Sequence, residues 1–533
     1  MKVILHKGRI EAYASEAALG FHFEGDEKLQ PDTAAMDRAS GGLISDVIHS
    51  GDFRGQLYQP SLIYTRETIP PKRILLMGLG KRSGFNVDIW RGVGSKAAQF
   101  LRDKGIQEFS VTPYLRGERK ISLEDFSQSL VEGIYLGLYQ FTEFKTEERE
   151  KIKEVKQANL VLPDEKRISQ VQESVDAAEI ISKAVYLTRD LVSRPANRKT
   201  PSMLAQVAKD VAESNGLRLK VLNVDEMKKL GMGALLAVAA GSREPPKFII
   251  LEYKPRRRNL DTLVVIGKAI TFDSGGLSLK PSENMDKMKH DMGGGAAAIG
   301  IIQAVSQLTL PLHLIALIPA TENLPSGSAY RPGDILTSLS GKTIEVISTD
   351  AEGRLILADA LAYSQRFKPS AIIDLATLTG ACIIALGENV TGMMGNGDEL
   401  KARVRRAADR TGEKVWELPL WEEYDEKIKS DIADVKNVGG RPAGTIIGGA
   451  FLKKFVGEYP WVHLDIAGPV WTDKNRPYIP KGATGVGVRL IVQLLRDWRT
   501  NSLRIGGQHA TVEAGPRHQG MGDHCNGKGK KAP

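Results

Sequence analysis

Apolar residues recur along this chain with two periods, and the period changes with position. Ile74-Leu75-Leu76-Met77 is a short continuous apolar run that predicts a buried strand. It runs into Gly78-Leu79-Gly80-Lys81, after which Trp90, Val93, Ala97 and Leu101 follow at three- and four-residue spacing. Strand, glycine turn and helix succeed one another, as in an α/β unit. Over 166–193, Ile168, Val171, Val175, Ala178, Ile181 and Val185 keep helical spacing and predict one long amphipathic helix. Pro195 stops it, because proline lacks the amide hydrogen and restricts the residue before it. Beyond 199, β-rich runs at 263–266, 313–318, 344–347 and 372–375 alternate with helical stretches at 295–308 and 354–367. Such alternation predicts a mostly parallel sheet flanked by helices. The expected fold class is therefore α/β. A smaller N-terminal α/β domain (1–165) is joined by a connector helix (166–198) to a larger one (199–496). Residues 497–533 have almost no apolar periodicity and are expected to be a disordered basic tail.

Composition narrows the class. The chain has 533 residues, 42% of them hydrophobic and 26% charged, which suits a globular protein with more than one core. There are two cysteines, Cys382 and Cys525, so no disulfide framework exists and a reducing, cytoplasmic compartment is expected. The N-terminus lacks an apolar h-region, and no apolar run reaches the ~18–20 residues needed to span a bilayer. No membrane partner is expected. The net charge of +9 comes partly from the tail, and it permits nucleic-acid contact without arguing for it. Gly78 and Gly80 begin a dinucleotide-like fingerprint whose third glycine is missing, so a plain tight turn is the better reading.

The candidate chemistry lies just after predicted strands, where ligands bind in open α/β sheets. One segment runs from Gly267 to Lys280 and contains Lys268, Asp273 and Lys280, with Asp291 a little further on. The other is Ser348-Thr349-Asp350-Ala351-Glu352-Gly353-Arg354. If that second segment is extended, Asp350 and Glu352 point to the same side, where two carboxylates repel unless a cation lies between them. Asp273 and Asp291, from separate glycine-flanked loops, would complete the shells of a two-metal site. Either carboxylate alone would read as a loop residue or a helix cap; the combination argues for a divalent metal pair.

These segments resemble the leucyl aminopeptidase family, two-metal hexameric peptidases with an N-T-D-A-E-G-R-L signature. The counterpart here is Ser348-Thr349-Asp350-Ala351-Glu352-Gly353-Arg354-Leu355. Arg331–Asp334, Thr377–Gly380, His463–Gly468 and Gly482–Gly485 are also similar to that family. The resemblance covers about 185–495 strongly, 1–165 weakly and the tail not at all. It implies an aminopeptidase that removes N-terminal residues from peptides, with a preference for apolar ones such as leucine. One metal would be held by Asp273, Asp350 and Glu352, and the other by Lys268, Asp273, Asp291 and Glu352. Lys280 and Arg354 would be catalytic, the arginine positioning a bicarbonate ion that serves as general base. Met288, Thr377, Leu378 and Gly380 would line the pocket for the first side chain. Manganese or zinc would serve as the ion, and the native choice is not legible. A homohexamer is also implied.

The chain departs from the family pattern at Ala269, Ser348 and His290, none of which removes a ligand. His290 is expected beside the site rather than in a metal shell. Cys382 lies in an apolar stretch and is expected in the core, and Asp465 is expected to be structural. His509, His518, His524 and Cys525 match no structural zinc spacing. Two other readings compete: a DNA-binding or regulatory protein on the same fold, and a two-metal phosphoesterase.

Overall fold

A computed structural model describes residues 1–118 and 120–498. The N-terminal sheet contains β1 (Lys2–Lys7), β2 (Ala18–His22), β3 (Pro60–Tyr64), β4 (Arg73–Gly78), β5 (Glu108–Val111) and β6 (Gln157–Leu162). Their order is β1-β6-β5-β2-β4-β3, with β3 antiparallel to β4 and the other pairs parallel. The predicted strand at 74–77 is β4. The turn after it offers no phosphate cradle, because its amides are already used. Gly78 N donates to Gln59 O, Leu79 N to His22 O and Gly80 N to Gly55 O. The next helix, Val87–Asp103, buries Trp90, Val93, Ala97 and Leu101 as their spacing predicts.

The long helix runs from Glu165 to Ser193, capped by the Asp164 carboxylate accepting from Arg167 N at 2.9 Å. Its two halves serve different cores. Val171, Val175 and Ala178 pack into the N-terminal core, whereas Ile181, Ala184, Val185 and Leu191 pack into the next one. One rigid element thus ties the two sheets together.

The strands that follow include β7 (Arg218–Leu222), β8 (Lys247–Tyr253), β9 (Thr262–Gly267), β10 (Ala269–Asp273), β11 (His313–Asn323), β12 (Ile335–Thr337), β13 (Thr343–Glu345), β14 (Ala371–Ala376), β15 (Thr391–Gly395), β16 (Val415–Glu417), β17 (Val435–Lys436) and β18 (Trp461–Asp465), and a two-residue pair, Trp471–Thr472 with Gly482–Ala483, comes after them. The large sheet has the order β16-β15-β18-β14-β9-β11-β8-β7, with β10 added beside β11. Its centre, β18-β14-β9-β11, is parallel, while β8 and β15 join antiparallel. Side chains alternate between two cores: Leu263, Val265, Ile373 and Leu375 face one, and Val264, Ile266, Ile372 and Ala376 face the other. Helix Gly293–Gln307 covers the first face and helix Gly353–Ser364 the second. Burial on both faces explains why these strands read as unbroken apolar runs.

Two expectations need correction. The run at 344–347 is not a strand of the large sheet. Only Thr343–Glu345 pairs, in a separate sheet of order β12-β13-β17, and Ile347 is exposed. That short apolar run lacks the length to cross the main core. The tail boundary at 497 is also too early, because Trp498 is buried and its indole N–H donates to Asp261 at 2.9 Å. The rest of the expected tail lies outside the described residues, as does its histidine and cysteine cluster.

Buried charges cross the junction between the sheets. Arg91 Nε donates to Glu132 at 3.0 Å, Arg489 approaches the same carboxylate at 3.7 Å, and the Arg489 Nη1 group donates to Thr411 O. Burial opposes ionisation of Glu132, but the two guanidinium groups overcome it and hold its carboxyl below the usual value. Glu132→Ala should leave Arg91 with Asp88 alone and Arg489 with Glu413 alone, and lower unfolding stability by about 2 kcal/mol or more. Urea denaturation checks this, and a loss under about 1 kcal/mol would show that the junction does not depend on the pair.

Candidate active site

The site forms where β9 gives way to β10, at the carboxyl end of the neighbouring β14. Lys268 occupies the single-residue break between the two strands. Its amide donates to Leu375 O at 3.0 Å, and its carbonyl accepts from Gly295 N at 2.7 Å. The side chain is thereby aimed into the crevice beyond the strand ends. Gly353 leaves room for it, since a Cβ there would lie 2.4 Å from Lys268 Cε. Asp273 ends β10, and a sharp turn follows through Gly275 at φ 88°. A Cβ on Gly275 would lie 2.5 Å from Ser278 O and 2.9 Å from the Asp350 carboxylate. Asp291 sits between the 3-10 helix Met285–His290 and the helix Gly293–Gln307.

The acidic and basic residues converge. Lys268 Nζ is 2.9 Å from Glu352 Oε1, and lies 2.9 Å from each Asp291 oxygen while bonding Oδ1. Lys280 Nζ is 2.8 Å from Asp273 Oδ2 and 2.5 Å from Asp350 Oδ1. Carboxylate oxygens of Asp273, Asp350 and Glu352 all lie within 4.8 Å of one another. Asp291 stands on the far side of Lys268, where Thr377 Oγ1 donates to its Oδ1 at 2.6 Å. Asp350 and Glu352 do not meet through a strand repeat, as expected from an extended segment. Thr349 and Asp350 form a turn, and Glu352 has helical dihedrals at the start of helix Gly353–Ser364.

Electrostatics follow from this crowding. Burial and the neighbouring Glu352 and Asp273 push the Asp291 carboxyl up to about 8, although Lys268 pulls the other way. Burial, then Asp273, raises Glu352. Burial also raises Asp350 against the pull of Lys280. For both lysines burial disfavours the ammonium, but the surrounding carboxylates outweigh it and hold each above the ordinary value. Ionising all four carboxylates against two ammonium groups would leave a formal charge of −2 in a largely buried volume, an excess that the raised Asp291 carboxyl resists and that added cations would relieve. Glu352 Oε2 is buried without a partner, and the one contact of the buried Asp291 Oδ2 is the ion pair with Lys268. An oxygen-rich donor set with orphaned lone pairs and excess negative charge fits hard or borderline divalent cations.

Other side chains frame the site. Arg354 is buried; its Nη1 donates to Asn437 O at 2.7 Å, while its Nε has no partner. Burial pulls its guanidinium down to about 10. Met288 and Leu378 are half-buried, Thr377 is buried, and Gly380 is exposed at the start of helix Gly380–Leu386. Asp465 holds that loop, accepting from Leu378 N at 3.2 Å and Thr379 Oγ1 at 2.7 Å. His290 is outside the carboxylate cluster and stacks on Trp471 with ring centroids 5.9 Å apart. Cys382 is buried and free, as expected. Sequence reasoning missed Asn323 and Asn437. Asn323 Nδ2 bridges Asp273 Oδ1 at 2.8 Å and Thr349 O at 3.0 Å. Asn437 accepts from Ile347 N at 2.8 Å and donates to Ser348 O at 2.7 Å. Each lies far in sequence from the loops it holds, so no local pattern marks it.

Comparisons with known proteins agree with this geometry. Residues 186–492 match the model of the cytosol aminopeptidase family, catalytic domain, and residues 18–148 match that family's N-terminal domain. A probable cytosol aminopeptidase of Roseiflexus castenholzii is 48% identical over 85% of this chain and 93% of its own. That of Geotalea uraniireducens is also 48% identical, over 86% of this chain and 92% of its own. Among solved structures, a mutant tomato leucine aminopeptidase has 34% identity and a TM-score of 0.82, covering 93% of this chain and 96% of its own. A bottromycin maturation enzyme in complex with Mn has 30% identity and a TM-score of 0.80, over 91% of this chain and 99% of its own. The chain belongs to the cytosol aminopeptidase family and is a metal-dependent aminopeptidase.

Proposed function

We propose that the chain hydrolyses the N-terminal bond of peptides with an apolar first residue, using two divalent ions. One would be held by Asp273, Asp350 and Glu352, the other by Lys268, Asp273, Asp291 and Glu352. The observation that carries this is the convergence of buried Asp273 and Glu352 with the exposed Asp350, with Lys268 and Lys280 set among them. Bound there, the ions would supply Lewis acidity and water activation at neutral pH. Manganese or zinc suits the oxygen-rich ligands, and the Mn complex of the bottromycin enzyme favours manganese.

The chain's own residues set the rest. A free, unprotonated α-amine would be a donor to one of the ions, so an unblocked N-terminus is required. Lys280 is less enclosed than Lys268, with 22% of its side chain exposed against 3%, so its ammonium can face the oxyanion that develops on the scissile carbonyl. Arg354, with its unpartnered Nε, is placed to hold a bicarbonate ion that would supply a proton acceptor. Met288, Thr377, Leu378 and Gly380 border the space for the first side chain. A homohexameric, cytoplasmic enzyme acting on peptides completes the proposal, supported by the family resemblance and the relatives' names.

Leucine amide should be hydrolysed and N-acetyl-leucine amide should not, and chelation should abolish turnover until manganese or zinc is restored. Equal cleavage of both amides would defeat the aminopeptidase reading. Phosphodiester cleavage without amide cleavage would favour a phosphoesterase instead.

Glu352→Gln should lower metal content and slow turnover by about 100-fold or more, because a bridging charge is lost. Arg354→Ala should keep its metal while slowing turnover, since a guanidinium does not ligate. Metal analysis beside steady-state rates decides it; loss of metal from the arginine variant would show the role to be misassigned.

A further inference from the structure

A small cleft of about 60 Å³ lies apart from the carboxylate cluster, between the long helix and the segment that follows β18. Its lining includes Arg189, Lys414, Arg476 and Arg489 but a single carboxylate, Glu413. Glu413 is already committed: Arg489 Nε approaches it at 3.4 Å and Gly487 N donates to it at 2.8 Å. Neither Arg476 nor Lys414 forms an ion pair among the described residues. Glu388, which does not line the cleft, offsets part of the Arg476 charge.

Arg189 is the unusual member. It projects from the Glu165–Ser193 helix, is 1% exposed, and faces no carboxylate within ion-pair distance among the described residues. It donates instead to three carbonyls: Nε to Thr484 O at 3.0 Å, Nη1 to Leu136 O at 3.0 Å and Nη2 to Tyr478 O at 3.1 Å. A guanidinium has five N–H donors, so two remain. Burial, aided by the like charge of Arg489, pulls Arg189 down to about 10, which still leaves it charged at neutral pH. Three carbonyl dipoles, the Tyr139 ring 5.2 Å away and the Glu413 charge beyond ion-pair distance compensate this buried cation only in part.

We propose that this cleft binds a small oxyanion, held between the Arg189 guanidinium and the Arg476 and Lys414 side chains at its mouth. Low-dielectric walls with one sign of charge concentrate counter-ions, and arginine forks match oxyanion geometry. The occupant would brace the junction, because Arg189 already joins the helix Leu123–Leu138 of the N-terminal half to the 478–484 segment. That segment reaches towards the active site: Thr484 Oγ1 donates to Pro469 O at 2.6 Å, and the Val470 side chain packs against Gly293, two residues from Asp291. The anion is thus a stabiliser of the assembled chain, distinct from any ion held at Arg354.

Inorganic sulfate, titrated at low millimolar concentration and constant ionic strength into the metal-loaded enzyme, tests this by thermal melting. Constant ionic strength holds screening fixed, and saturation at low millimolar concentration separates site binding from the non-saturating stabilisation that sulfate gives through surface exclusion. The expected result is a saturable rise in melting temperature. In Arg476→Gln and Lys414→Gln, both of which should fold and retain peptidase activity, its midpoint should weaken about ten-fold or more. Arg354→Ala should keep the wild-type midpoint. Acetate titrated in parallel identifies the source: a matching response assigns carboxylates, and a response to sulfate alone assigns tetrahedral dianions. A rise that does not saturate, an unchanged midpoint in both cleft variants, or a response lost only in Arg354→Ala would overturn the proposal.

Discussion

Lys268 is enclosed by Asp291, Glu352 and the carbonyl of Thr377, with almost no exposure to water. A buried ammonium and several buried carboxylates tolerate one another only together, because each alone would carry a desolvation cost of several kcal/mol. That mutual requirement explains the local fold. The chain breaks between β9 and β10 to present the lysine. Glycine stands at 353 because any side chain would meet it, and Thr377 turns its hydroxyl towards Asp291. Residues from four separate loops are thereby fixed around a volume that still carries excess negative charge. A divalent pair completes the balance that the two ammonium groups leave unfinished.

The architecture that supports this cluster is a set of clamps with long sequence separation. Asn323 at the end of β11 joins the Asp273 turn to Thr349, and Tyr330 donates to the same Thr349 carbonyl at 2.8 Å. Asn437 ties the Ser348 loop to Arg354. Behind the strands lies a second buried network, in which Asp374 accepts from Trp461 at 2.7 Å and lies 2.6 Å from His463 Nδ1. Burial opposes the charged form of His463, but Asp374 overcomes it and raises the histidine above its ordinary value. Such fully buried polar contacts hold β14 and β18 in register where the loops of the site emerge.

Much of this was legible in the sequence because it is local. Periodicity found the Glu165–Ser193 helix and the central strands, since burial on one stripe or on both faces leaves a direct apolar signature. The acidic loops were legible because carboxylates and lysines beside glycine turns, just past strands, are costly without a function. What stayed hidden depends on the third dimension. Nothing near Asn323, Asn437 or Arg189 in the sequence marks them, because their partners lie tens to hundreds of residues away. The convergence of Asp350 and Glu352 was anticipated through the wrong geometry, a strand repeat rather than a turn leading into a helix. The run at 344–347 misled for a related reason: a short apolar alternation does not say which sheet it joins.

The two lysines test the account most directly. Lys268 holds its proton only because carboxylates surround it, and two divalent ions in that space would disfavour the ammonium and convert the amine into a ligand. Lys280, nearer the opening, would keep its charge and act on the substrate. The decisive measurement is equilibrium titration of manganese into wild type, Lys268→Ala and Lys280→Ala, read as the number of ions bound and the affinity of each. The account predicts that Lys268→Ala weakens one of two sites by about ten-fold or more while sparing the other, and that Lys280→Ala keeps both. Equal affinity for both ions in wild type and Lys268→Ala would remove Lys268 from the metal shell and contradict it.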